Sequence, residues 1–217
     1  MLSTSHDRFP EAPREDASKT LRAAGTWTGR QQTRVAVRDF TFTVDEPERI
    51  GGRDEGPTPM EYLAGSVGAC ITVVIDQLAQ RRGLELTGVH TYALARQDQR
   101  GLAGTADVQP YFHTFRLQVC IGTPQTDPAV LRQFAADVEH SCPAVNLLRD
   151  AHVDLEVAWS FAERTVEHDA EGACNSACGY EPQRLPQDAP EPVLTLVNAD
   201  APSTGSTGPT VTIGARA

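Results

Sequence analysis

The stretch from Thr58 to Gly83 constrains this chain more than any other. Thr58 stands where a helix N-cap belongs, Pro59 takes the first helical position, and Glu61 follows the cap at the spacing of a capping box. Gly83 supplies a stop, so the pattern predicts one long helix from Pro59 to about Arg82. Leu63, Val67, Cys70, Ile71, Val74 and Leu78 recur at helical spacing, which predicts a buried stripe with Cys70 on it. Ser66, Thr72 and Asp76 interrupt the run, which leaves it short of the roughly 18 to 20 consecutive apolar residues of a membrane span. The first twenty residues are polar and lack the apolar run of a secretory signal. The expectation is a soluble, cytoplasmic protein built around one long helix, with no membrane partner.

Strand patterns flank that helix. Residues 21–30, 33–39 and 40–44 alternate, or are β-branched and aromatic enough, to form a small meander, and Ile50 to Pro57 reads as a turn-rich loop. Two further strands are expected near 86–96 and 111–121, joined by a polar loop over 97–109. Asp127-Pro128 opens another helix, which must end before Cys142 because a residue preceding proline avoids helical angles. Pro143 then starts a short helix through Leu148. Val153, Leu155, Val157, Trp159 and Phe161 alternate with Asp154, Glu156 and Ser160, the signature of a one-sided edge strand of an antiparallel sheet. Strands, a long helix, more strands, two helices and a last strand make an α+β pattern rather than a repeating βαβ one.

The folded unit is expected over residues 21–164, with a flexible arm over 1–20 and a flexible acidic tail over 165–217 that is rich in Gly, Pro, Ser and Thr. The net charge of −10 is unevenly spread, and no basic stripe is present, which argues against nucleic acid as a partner.

Five cysteines in a reducing compartment are poor candidates for static staples, which turns attention to redox chemistry or metal binding. A reactive thiol needs a device that lowers its pKa, and a helix amino end is one. Cys142, just before Pro143, has such a device. Cys70 lies about three turns into its helix and needs a cation from another segment. Arg30, Arg34, Arg38 and Arg53 all precede the helix; strand alternation sends Arg34 and Arg38 to the solvated face, leaving Arg30 at a strand end as the candidate. The bland alternative is that each cysteine is a small core residue.

The run Gly51-Gly52-Arg53-Asp54-Glu55-Gly56-Pro57-Thr58-Pro59-Met60-Glu61-Tyr62-Leu63, then Gly68-Ala69-Cys70 and, about seventy residues later, Ser141-Cys142-Pro143, resembles the OsmC/Ohr family in a less characterised branch. The resemblance implies an OsmC-like fold, with antiparallel sheets packed around a long central helix in an intertwined homodimer. It implies thiol peroxidase activity on organic hydroperoxides, with Cys70 as the peroxidatic and Cys142 as the resolving thiol. It also implies recycling by a dithiol such as a lipoylated protein, and calls for no cofactor. The glutamate that activates the thiol through an arginine in this family is replaced here by Met60, and Glu61 follows it. Nine residues at about 100° each put Glu61 roughly opposite Cys70, so capping is its leading role and catalysis the alternative. Met60 also motivates a second reading, a non-catalytic dimeric module that binds a hydrophobic ligand or electrophile.

Cys120 shares the non-apolar face of its strand with Arg116 and Gln118 and reads as a bystander. Cys174 and Cys178 with His168 are too few ligands for a closed zinc site, and no metal is expected. His140 could influence Cys142, whereas His90 and His113 read as packed or exposed strand residues.

Overall fold

A computed structural model describes residues 9–165, 192–199 and 212–213, with 212 and 213 described by backbone alone. The chain divides into two compact units, residues 1–65 and 66–217.

The first unit is a three-stranded antiparallel sheet of β1 (Ala24–Gly29), β2 (Gln32–Val37) and β3 (Phe40–Val44), in that order. Val35 lies opposite Phe42 and Val37 opposite Phe40, so the apolar residues share one face. Arg34 falls on the other face and is exposed, as alternation requires. Arg38 is not a strand residue: it occupies the β2–β3 turn with φ 54°, and its guanidinium stacks 5.0 Å from the Phe40 ring centroid. Directly after β3, Asp45, fully buried, accepts the backbone N–H groups of Glu46, Arg53 and Glu55 and the amide of Gln32. The Gly51-Gly52 pair makes this close loop possible. Gly51 has φ 107°, and a Cβ on Gly52 would sit 1.6 Å from the Glu46 carbonyl oxygen.

Helix α1 (Pro59–Arg82) has the bounds its capping box and Gly83 predict. By length and composition alone it could cross a bilayer. In the second unit, however, Ile71 and Ile75 are fully buried, and Gly68 approaches Thr91 so closely that a Cβ would lie 2.9 Å from the Thr91 hydroxyl. The buried stripe is Val67, Gly68, Ile71, Ile75, Leu78 and Ala79. Cys70 is therefore off its centre, only partly buried, and Leu63 is exposed, a rotation of the stripe relative to the sequence expectation.

The second unit carries a five-stranded sheet in the order β4 (Gly88–Gln97), β5 (Phe112–Gly122), β6 (Asp154–Ala162), β7 (Leu194–Val197), β8 (Thr212–Ile213). The β4–β5 connection is not a plain loop: α2 (Gln99–Ala103) forms within it, capped by Asp98 and ended by Gly104 at φ 67°. Helix α3 (Pro128–Ser141) starts at Asp127, whose carboxylate accepts the Ala129 N–H, and α4 (Pro143–Asp150) follows after Cys142.

Because two helices intervene between β5 and β6, β6 returns parallel to β5, and the sheets are not all antiparallel as expected. Nor is β6 an edge strand, since β7, from a region read as structureless tail, pairs on its other side. Phe115, Leu117, Val119, Ile121, Val157, Trp159 and Phe161 line the buried face, where complete burial of each large apolar side chain contributes about 1.5 to 3 kcal/mol.

Candidate active site

In the second unit the structure brings together the two cysteines singled out by the sequence. Cys70 comes from the middle of α1, and Cys142 from the single residue between α3 and α4, where it ends one helix and caps the next with φ −79° and ψ 113°. Both are free thiols, and Cys70 lies near enough to Cys142 to raise the pKa of its thiol.

Cys142 is fully buried. Desolvation dominates its titration, the N–H groups of Val145 and Ala144 pull the other way, and the neighbouring Cys70 adds to the rise. The net result pushes the Cys142 thiol up to about 11, opposite to the expectation from its place at a helix amino end. The sulfur makes no full capping hydrogen bond, so the helix end offsets only part of the burial. Cys142 is therefore held as a neutral thiol beside Cys70 at ordinary pH.

The corner that carries Cys142 is fastened by Asn146, a buried residue in the first turn of α4. Its Nδ2 donates to the carbonyls of Glu139 (3.1 Å), His140 (2.8 Å) and Cys142 (2.9 Å), all at the end of α3. Glu139 is fully buried as well. Its Oε1 accepts from Trp159 Nε1 and from the Ala199 N–H, both at 2.7 Å, and its Oε2 pairs with Arg149. Desolvation raises the Glu139 pKa against the combined pull of these partners.

The remaining candidates are engaged in other ways. Glu61 completes the capping box: its carboxylate accepts the Thr58 N–H at 2.7 Å while its own N–H reaches the Thr58 hydroxyl at 3.2 Å. Arg30 occupies the β1–β2 turn with φ 52°; its guanidinium donates to the Gly52 carbonyl at 3.3 Å, and its carbonyl accepts from the Trp27 indole. Both belong to the first unit. Cys120 lies half-buried opposite His90 and Ser160, on the polar face the sequence predicted, and burial raises its thiol pKa. His168, Cys174 and Cys178 lie outside the described residues.

Sequence reasoning passed over Glu139 and Asn146. A signal for Glu139 was available: Leu131, Phe134, Ala135 and Val138 form the buried stripe of α3, and position 139 continues it with an acid.

Residues 52–158 match the sequence model described as OsmC-like protein. Over those residues the chain is OsmC-like. The fold agrees with solved structures of low sequence identity. An OsmC-like protein from Mycoplasma pneumoniae is 16% identical with a TM-score of 0.57, over 66% of this chain and 97% of that one. An organic hydroperoxide resistance protein from Elizabethkingia anophelis is 17% identical with a TM-score of 0.50, over 67% and 96%. An OsmC-like protein of unknown function from Vibrio cholerae is 12% identical with a TM-score of 0.52, over 66% and 99%. No curated protein matches the sequence.

Proposed function

We propose that this protein is a thiol-dependent peroxidase for organic hydroperoxides, with Cys70 as the attacking thiol and Cys142 as the resolving one. The observation that carries the reading is the nearness of these two free thiols, which come from different elements. The OsmC-like match over residues 52–158 supports it, as does the name of the Elizabethkingia anophelis structure. The Cys70 thiolate attacks the distal peroxide oxygen, the alcohol leaves, and Cys70 becomes a sulfenic acid. Cys142 then displaces water to give a disulfide, which a dithiol such as a lipoylated protein reduces. Glu61 serves as a helix cap. Exposed Leu63 and Val73 on α1 favour a homodimer, in which a second copy would cover them.

The test is consumption of cumene hydroperoxide with dihydrolipoamide as reductant, with Cys70→Ser expected to abolish turnover. Intact mass after one equivalent of peroxide, without reductant, should fall by about two mass units as the disulfide forms. Unchanged thiols and no consumption would leave the non-catalytic binding module in its place.

A further inference from the structure

The corner bearing Cys142 is tied to a part of the chain that the family match at residues 52–158 does not include. Strand β7 pairs antiparallel with β6, Leu194 opposite Phe161 and Val197 opposite Ala158, and buries Leu194 and Leu196 almost completely. Asn198 then closes a clasp on β6: its N–H donates to the Val157 carbonyl, and its side-chain oxygen accepts the Val157 N–H, both at 2.9 Å. With φ 49° Asn198 turns the chain, and the next N–H, that of Ala199, reaches Glu139 Oε1 at 2.7 Å.

Glu139 is an acid in a place where an apolar side chain would be cheaper to bury. Its partners come from three separate elements: Trp159 of β6, Arg149 of α4 and Ala199 beyond β7. Its own carbonyl accepts from Asn146, which also holds the Cys142 carbonyl. The carboxylate thus joins the C-terminal segment, the sheet and α4 to the last turn of α3, three residues before Cys142.

We infer that Glu139 is a positioning residue for Cys142, and that residues 193–199 act as a strap completing its seat. This rests on Cys142 being the resolving thiol. Two fates compete for the Cys70 sulfenic acid. Attack by the Cys142 thiol forms the S–S bond and releases water; attack on a second hydroperoxide forms the sulfinic acid and releases the alcohol. A fastened corner favours the first, and a loosened one the second.

The experiment uses full-length protein in four forms: wild type, Glu139→Gln, Ala199→Pro, which lacks the N–H, and Ala199→Gly, which keeps it. Each is treated with excess cumene hydroperoxide and weighed intact without reductant, with circular dichroism confirming the fold. Glu139→Gln and Ala199→Pro should raise the ratio of sulfinic acid to disulfide by about tenfold, the factor expected for one lost hydrogen bond to a charged group, while Ala199→Gly stays near wild type. Rescue by the glycine variant is not expected of general loosening by substitution at this position. Equal ratios in all four folded proteins would overturn the inference. Should the wild type form no Cys70–Cys142 disulfide, the peroxidase reading fails separately. The seat is then judged by iodoacetamide labelling of Cys142 in untreated protein: faster labelling in Glu139→Gln and Ala199→Pro supports it, and equal rates overturn it. Ala199→Pro acts at the rim of the sheet, so it remains informative if Glu139→Gln does not fold.

Discussion

Cys142 is subject to two opposing influences, and their balance sets what it can do. The N–H groups of α4 favour the thiolate, burial disfavours it more strongly, and the thiol ends at about 11. A thiol of this kind attacks only a partner that is already activated and already in place, which a sulfenic acid on Cys70 would be. The balance is measurable by iodoacetamide labelling of the native protein. The Cys142 rate should keep rising about tenfold per pH unit up to about pH 10, whereas in urea it should level off near the ordinary cysteine value of about 8.5. A plateau near that value in the native protein would mean that burial does not govern this thiol. The helix-end setting of Cys142 was legible in the sequence because Pro143 marks it, whereas Cys70 was singled out chiefly by the family resemblance. The sign of the Cys142 shift was not, because desolvation depends on what packs around a residue and not on its neighbours in the chain. The partners of Glu139 escaped notice for the same reason: Trp159 and Ala199 lie in segments remote from it in sequence.

The elements fall into two groups, those dictated by local chemistry and those dictated by pairing. Helix α1 begins and ends where Thr58-Pro59 and Gly83 require, and α3 and α4 are divided at Cys142-Pro143. Their bounds were legible because capping and proline act within a few residues. The parallel return of β6 and the addition of β7 were not, since alternation reveals the faces of a strand but not its neighbours. At this scale Glu61 can be tested. Glutamine satisfies a capping box and alanine does not, so Glu61→Ala should lower stability by about 1 kcal/mol while Glu61→Gln leaves it nearly unchanged, read by urea denaturation. Peroxidase turnover should follow the same order. A Glu61→Gln variant with wild-type stability but no activity would restore the catalytic role.

For the molecule as a whole, two buried acids make opposite contributions to the dependence of stability on pH. Burial pushes Asp45 upward, but the N–H groups of Glu46, Glu55 and Arg53 and the Gln32 amide outweigh it and hold its carboxyl below the ordinary range. Its stabilisation is present above the unfolded value near 3.8 and is lost as pH falls through the folded one. Glu139 behaves in the reverse sense. Desolvation raises its pKa above 4.5, so the folded state holds its proton more tightly; that advantage is complete below the unfolded value and disappears as pH rises through the folded one. Each unit thus contains one of the two acids, and the observed profile is their sum. Urea unfolding of Asp45→Asn and Glu139→Gln across pH 3 to 7 separates them, because each substitution deletes one titration whatever it does to absolute stability. Relative to wild type, Asp45→Asn should lose part of the steep fall on the acid side, below about pH 4. Glu139→Gln should lose part of the decline above about pH 4.5, so that its stability gains on wild type as pH rises. Parallel profiles for wild type and Glu139→Gln would show that Arg149, Trp159 and the Ala199 N–H fully compensate the burial of that carboxylate.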